Sequence, residues 1–592
     1  MRRSFILFII FCSCFVSQTL KSQGTTPQVS FSNGQDGNIF YHTVERGQTI
    51  YGISTMYGVT EDEIYRLNPG SREYIKVGEK LKIPQKEMTA SSTGRVEDMY
   101  IFHTIQSKET LYGVSKQYNV TLEQITKANP GLTSQTFSAG KIIRIPAVEI
   151  ASLPTTEIKT VVKEIEYKIK KKETMYSLCK RFDTTSDKLI QYNPELKSGL
   201  KAGMVIKIPV ETEETVTTYP NQNEFNIDAL IAYRNEIQKV SVVKIGLLLS
   251  FKSSDAKLAA ARTEFYEGFL MAVDSLKKKG VSVDLTVYDI GDGVQKTKEA
   301  LQTEALRSCH LIIGGTTNEQ IELMAAYALK NGIKYVVPFS KCDKLTSENG
   351  AVFQVNTSYQ NLYSYATTRA CELFANYNVI IVNTQDKDEK DLFIRTLKAN
   401  MAEVHISYRE LSFNERSFQA DISSMLSTTK PNLVIPISGS LEALAKINAP
   451  LRMIADTKSN YNLTLFGHPE WQKYTNDYVE DFFKLNAHMY TSFYANNLSP
   501  DVQRFTNKYY RLYKKSMIVS YPKYAMLGFD TGMYFISAIN QWGSNFEDNI
   551  QSIKHNSLQT GFNFQRVNNW GGFVNTNLYF VRYNKDHTIT RF

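Results

Sequence analysis

YHTVERGQTIYGIS, from Tyr41 to Ser54, returns twice in the first third of this 592-residue chain, as FHTIQSKETLYGVS from Phe102 and as EYKIKKKETMYSLC from Glu166. The equivalent threonines, Thr49, Thr110 and Thr174, are each followed 19 residues later by an Asn-Pro pair: Asn68-Pro69, Asn129-Pro130 and Asn193-Pro194. Each copy closes on an alternating basic and apolar run that ends at Pro84, Pro146 or Pro209. Self-similarity on a period of about 60 residues marks one small folding unit used three times.

Within each copy the order of elements is legible. A short alternating stretch (Tyr41 and Thr43; Phe102 and Thr104; Tyr167 and Ile169) predicts a strand. The threonine that follows suits a helix N-cap, because its hydroxyl can accept from the free N–H groups of the first turn. Thr60-Glu61-Asp62-Glu63 has the form of a capping box and opens a second helix; Thr121-Leu122-Glu123-Gln124 repeats it with glutamine. Asn-Pro ends that helix, since proline cannot continue it. A returning strand (Lys80–Ile83, Lys141–Ile145, Val205–Ile208) completes a β-α-α-β unit. Tyr51, Tyr112 and Tyr176 read as core residues of the first helix.

On these motifs the three units resemble LysM domains, at residues 40–85, 101–147 and 165–210. The resemblance implies binding of N-acetylglucosamine-containing glycans, peptidoglycan above all, without catalysis. It places the sugar groove between the loop after the first strand and the loop before the last. That nominates Gly47, Gln48, Thr49 and Ile50 with Asn68, Pro69 and Gly70; then Lys108, Glu109, Thr110 and Leu111 with Asn129, Pro130 and Gly131; then Lys172, Glu173, Thr174 and Met175 with Asn193, Pro194 and Glu195. Bare N–H groups at a helix start suit an acetamido carbonyl. Caps and turns are the competing roles for the threonines and the Asn-Pro pairs. Gly-Gln-Thr in the first copy is close to the Gly-Asp-Thr loop of the family, both Lys-Glu-Thr loops lack the glycine, and the third copy departs furthest. Three weak modules in series would gain avidity on a polymer.

Residues 1–22 read as a signal peptide: Met1-Arg2-Arg3, then an apolar run from Phe5 to Val16 too short to span a bilayer. Phe11-Cys12-Ser13-Cys14 is a poor lipobox placed too early, so no lipid anchor is expected. The net charge of +9 is spread without a basic block, which points away from nucleic acid. The apolar content of 42% supports ordinary cores, and no later stretch suggests a transmembrane span. Of the later cysteines, Cys309 precedes one predicted parallel strand and Cys342 follows the next, so the two thiols fall at opposite ends of a sheet, beyond bridging distance.

After a Thr/Glu/Asn-rich linker at 211–239 the pattern changes to strands alternating with helices, the mark of an α/β domain with parallel sheets over 240–592. Predicted strands include Val242–Leu249, Val283–Tyr288, Leu311–Gly315 and Tyr335–Pro338, then Val379–Val382, Val404–Tyr408, Leu433–Pro436 and Leu463–Phe466. The order of Lys244-Ile245-Gly246-Leu247-Leu248, Phe265-Tyr266-Glu267-Gly268-Phe269, Phe353-Gln354-Val355-Asn356 and Tyr524-Ala525-Met526-Leu527-Gly528-Phe529-Asp530 resembles the two-lobe type I periplasmic binding proteins of the branched-chain amino-acid-binding kind. That resemblance implies hinges near Asn356, Tyr494 and Asp548. It also implies a ligand cleft walled by Gly314, Gly315, Thr316 and Thr317 with Phe339, Ser340 and Lys341, faced by Asn383, Thr384, Gln385 and Asp386. The usual Asp with a following Tyr-Gly is absent at the second wall.

No zincin, nucleophile-elbow, Walker or Cys/His metal pattern occurs, so neither catalytic residues nor a metal or cofactor are expected. The expectation is an exported, envelope-associated protein that anchors a sensor or docking domain to peptidoglycan, with a wall-synthesis or hydrolysis enzyme as possible partner. A wall-tethered solute receptor for an amino acid or related molecule is the alternative, and an accessory to a wall hydrolase the third.

Overall fold

A computed structural model describes residues 39–45, 48–72, 75–84, 100–133, 136–146, 155–182, 184–218, 239–386, 391–458, 460–497 and 499–592. The expected signal peptide, and Gly47 among the nominated residues, lie outside them.

Each repeat is a two-stranded antiparallel sheet carrying two helices. β1 (Ile39–Thr43) pairs β2 (Lys80–Pro84), β3 (Tyr100–Thr104) pairs β4 (Ile142–Pro146), and β5 (Thr155–Lys168) pairs β6 (Val205–Thr218). Helices Ile50–Tyr57, Leu111–Gln117 and Met175–Arg181 start where the threonines stand, with Thr49, Thr110 and Thr174 accepting from Gly52, Gly113 and Ser177 N–H. The capping boxes of Thr60 with Glu63 and Thr121 with Gln124 are both formed.

The Asn-Pro asparagines do more than end a helix. Asn129 Nδ2 donates to Ile125 O and Arg144 O, both at 2.7 Å, while its Oδ1 accepts from Arg144 N at 2.8 Å. Asn68 and Asn193 repeat this on Ile64 and Lys82, and on Leu189 and Lys207. Each asparagine therefore clips the second helix to the last strand. Three buried hydrogen bonds at about 1 kcal/mol each matter in a unit this small, which has little core to spare. Asn193→Ala is expected to cost about 2–4 kcal/mol and to unfold the third repeat selectively, seen as loss of hydrogen-exchange protection confined to residues 167–209.

β5 and β6 overturn part of the expected linker. Both strands are 14 residues long and stay paired from Lys168 and Val205 out to Thr155 and Thr218. The third repeat thus stands on a two-stranded ribbon about 45 Å long. Alternating threonines and valines favour the strand over the loop that their polarity suggested.

The C-terminal domain has two lobes. Among the described residues each lobe is built on one seven-stranded sheet. Its first-lobe strands are β7 (Val243–Leu249), β8 (Val283–Asp289), β9 (Leu311–Gly314), β10 (Lys334–Val337) and β11 (Val352–Gln354); the second lobe has β12 (Asn378–Asn383), β13 (Tyr408–Ser412), β14 (Asn432–Pro436), β15 (Leu463–Gly467) and β16 (His488–Thr491). These five-strand sets are parallel and share one doubly wound order, second-first-third-fourth-fifth. The tail adds β17 (Phe564–Arg566) and β18 (Phe573–Asn575) to the first lobe, then β19 (Tyr579–Tyr583) and β20 (Ile589–Arg591) to the second.

Two expectations shift here. Residues 404–407 are not strand: helix Asp391–Glu403 runs up to them and His405 turns the chain with φ 57°. The chain crosses between lobes at 355–358, 492–497 and 576–578, so the third crossing is not at Asp548, whose neighbourhood belongs to the first lobe. The motifs around Gly268 and Gly528 turn out to be a helix crossing. A Cβ on Gly268 would meet Ala525 O at 1.8 Å, and one on Gly528 would meet Phe265 O at 2.0 Å, so helices Ala256–Lys277 and Tyr524–Trp542 touch backbone to backbone.

Cys309 and Cys342 are unpaired thiols at opposite ends of parallel β9 and β10, and burial pushes them up to about 11 and about 12. In the second lobe, burial and then the charge of Arg582 hold the His488 imidazole at about 4. The unfolded ring titrates near 6.5, so the fold prefers it neutral: this stabilisation is complete above pH 6.5 and is lost as pH falls toward 4. About 3 kcal/mol should go across that window. Urea midpoints at pH 7.5 and 4.5 check it, because His488→Gln should remove that share of the drop.

Candidate functional site

The nominated groove residues spend most of their polar capacity inside their own modules. In the first repeat Gln48 Oε1 accepts from His42 Nε2 and from Glu45 N, both at 2.8 Å, which leaves His42 Nδ1 to accept from Tyr57 Oη. Glu109 holds His103 and Gln106 N in the same manner, and Glu173 takes Tyr167, Arg181 and Lys170 N. Ile50 and Leu111 are core residues, 4% and 2% exposed. Lys108 and Lys172 take the left-handed backbone at φ 67° and 70°, which costs about 1 kcal/mol without glycine. Pro69, Gly70, Lys108, Thr110, Thr174 and Pro194 remain exposed, while Met175 is half-buried. Asn68, Asn129 and Asn193 are clips rather than free sugar ligands, because all three of their bonds named above are internal.

The tyrosines after the caps are not core. Tyr176 is 77% exposed and Tyr112 40% exposed, because the second helical position faces away from the sheet. Tyr51 faces the C-terminal domain instead: its hydroxyl donates to Asp343 Oδ2 at 3.0 Å, and burial, then Asp343, pushes its pKa up to about 12.

That contact belongs to a larger junction. The first two repeats pack strand to strand through Phe40 and Phe102, with Thr104 Oγ1 donating to Tyr41 O at 3.1 Å and Lys141 paired with Glu45. The turn between β17 and β18 inserts Trp570 into their shared core, leaving it 2% exposed. Its ring lies 5.2 Å from Phe102 and 6.3 Å from Tyr57, and the Arg144 guanidinium sits 4.8 Å above it. Burial lowers Arg144 to about 10, which still leaves it charged at neutral pH against three aromatic faces, Tyr100, Phe102 and Trp570. Gly131 N donates to Asn569 O at 2.7 Å and Asn569 Nδ2 to Ile142 O at 2.9 Å. A Cβ on Gly131 would meet Arg566 Cδ at 2.4 Å, and Pro130 packs on Gly350, so one wall of the second groove lies against the first lobe. Ser347 Oγ donates to Thr55 O at 3.1 Å. A cavity of about 610 Å³ remains between the two repeats and the tail, with Trp570, Arg566 and Glu547 on its wall. Nothing local in the sequence around Trp570 or Arg144 announces this role.

The interlobe wall is also internally committed. Thr317 caps helix Asn318–Asn331 in a box with Gln320, Thr316 Oγ1 accepts from Ser250 at 3.1 Å, and Gly315 sits under Tyr335 at φ 83°. Ser340 is half-buried, and Gln385 is exposed at φ 55°. Asp386 does not face the cleft as expected. It is 8% exposed and accepts from Thr384, Ser438 and Ser440, the last of which caps helix Leu441–Thr457 through Ala443 N–H.

Residues 42–84, 103–146 and 167–209 match the family model of the LysM domain. The N-acetylmuramoyl-L-alanine amidase sle1 of Staphylococcus epidermidis is 21% identical over 186 residues, 31% of this chain and 56% of that one. The sle1 of Staphylococcus saprophyticus is 31% identical over 134 residues, 22% and 40% of the two chains. This chain therefore spans about half the length of such relatives, and the likeness lies in the LysM region. Among solved structures, the isoleucine complex of LivJ from Streptococcus pneumoniae aligns at TM-score 0.33 and 15% identity, covering 59% of this chain and 99% of that one. A branched-chain amino acid transporter of Rhodopseudomonas palustris aligns at 0.39 and 12%, covering 59% and 95%. The chain carries three LysM domains followed by a two-lobe α/β domain whose two sheets share one doubly wound strand order. Among the described residues no helix is long and apolar enough to cross a membrane, and no acidic, His or Cys cluster could hold a metal.

Proposed function

We propose that this is an exported, non-catalytic peptidoglycan-binding protein that holds a two-lobe sensor or docking domain at the cell wall. The observation that carries the reading is the third LysM domain. Among the described residues its core is built from its own side chains, it stands on a ribbon, and it leaves Thr174 and Tyr176 exposed at the helix start. The sle1 relatives are named N-acetylmuramoyl-L-alanine amidases, which supports a ligand of the cell-wall class.

Sedimentation with insoluble peptidoglycan tests this. The full chain should pellet, and removal of residues 155–218, whose ends pair with each other, should cut binding at least about 10-fold, the loss expected when one engaged module leaves a multivalent set. A full chain that stays in the supernatant would sink the reading, and release of soluble muropeptides would make the protein a lytic enzyme instead. With Asp386 turned inward, a solute receptor would have to hold an ammonium group by other means; a rise of several degrees in melting temperature with one amino acid would favour that alternative.

A further inference from the structure

The first repeat's groove is closed by the same chain. Its two walls, with Thr49 and Ile50 on one side and Ser71 and Ile75 on the other, meet helix Asp391–Glu403 of the second lobe through Leu392, Arg395 and Thr396. Arg395 Nη1 donates to Arg72 O at 2.8 Å, and its guanidinium also acts on the Tyr65 hydroxyl. The space left in the groove is about 70 Å³. Small-molecule sites occupy roughly 300 Å³ or more, so no sugar chain enters while the helix is in place.

The repeat is fastened to the first lobe through Tyr51 on Asp343, Thr55 on Ser347 and the buried Trp570, and its first helix also meets the start of the second-lobe helix Tyr359–Leu373, beside the first crossing, where a Cβ on Gly52 would lie 3.1 Å from Asn361 Oδ1. One lobe therefore carries the groove and the other carries its cover, and three chain crossings join the two. We infer that the groove of the first LysM domain is a docking site for the chain's own second lobe, and that N-acetylglucosamine oligomers enter it only when the lobes move apart. The inference rests on the glycan-binding reading above for its ligand, but not for the docking itself. By linkage, whatever holds the lobes together weakens glycan binding at this repeat, and glycan bound there favours the separated lobes by the same factor. Among the described residues no contact of a lobe with the third repeat's helix start is found, so the two repeats should answer differently to one change.

Hydrogen exchange on the full chain, with the N-acetylglucosamine pentamer as probe, tests both parts. Without pentamer, Arg395→Glu should speed exchange at least 10-fold in residues 50–57 and 391–403 and leave 175–192 unchanged. With pentamer, residues around Thr49 should become protected at a concentration at least 10-fold lower in the variant than in the wild type, while the midpoint at the third repeat stays the same. Unchanged ligand-free rates would overturn the docking. Equal midpoints at the first repeat, with the third protected, would overturn the competition. If the pentamer protects no repeat in either protein, the glycan reading fails instead, and the docking is decided by the ligand-free rates.

Discussion

Trp570→Ala is expected to release the first two LysM domains from the two-lobe domain. The indole is 2% exposed and, among the described residues, joins a core otherwise built from the first two repeats, with the C-terminal Val567 packed against that core. Truncating a buried tryptophan costs about 3–5 kcal/mol, and Arg144 loses an aromatic face worth about 0.5–2 kcal/mol. The bonds around it, from Gly131 and Asn569, are few and lie at the edge of the same turn. Small-angle scattering should show a larger radius of gyration, and urea unfolding should resolve a separate early transition for the repeats. Trp570→Phe should fall between. A variant with the wild-type radius would mean that the polar contacts at Asp343 and Ser347 hold the junction without the ring.

Asp530→Ala should damage the C-terminal domain more than any surface change. Asp530 is 0% exposed on helix Tyr524–Trp542 and accepts from Leu558, Gln559 and Thr560 N–H at 2.8, 2.9 and 2.8 Å. Those three residues lie beside the second crossing: Tyr494 N donates to Gln559 O at 3.1 Å, and Phe493 bridges Thr560. Alanine would leave three buried donors without an acceptor, at about 1–3 kcal/mol each. The expected loss is at least about 4 kcal/mol, read as a fall in the urea midpoint of the two-lobe domain with the third LysM domain unaffected. Asp530→Asn keeps one acceptor oxygen and should lose less. An alanine variant as stable as the wild type would show that the 558–560 segment can rearrange to reach water.

The sequence carried the local structure well. Caps, capping boxes and strand alternation act within four or five residues, and Thr49, Thr60, Thr110, Thr121 and Thr174 all cap as their neighbours imply. It carried the strand-helix alternation of both lobes for the same reason. It misjudged where a residue had two plausible partners. The resemblance puts Asp386 in a cleft, with a turn role as the competing reading, and it accepts from hydroxyls at a helix start; the asparagines, for which a turn role competes with a sugar, clip strand to helix; and Tyr112 and Tyr176 face away from the cores that the helical pattern gives them.

Period, caps and alternation determine on their own that this chain makes three LysM domains and a two-lobe α/β domain, because those signals are short in range. Which groove is open is a different kind of fact. Tyr51 and Asp343 are 292 residues apart, Arg72 and Arg395 are 323, and Ile142 and Asn569 are 427. The first repeat has the loop closest to the family pattern, yet its groove is covered by the second lobe, while the most divergent repeat leaves Thr174 and Tyr176 exposed at its helix start. Accessibility depends on surfaces brought together across the whole chain, and no local pattern encodes that.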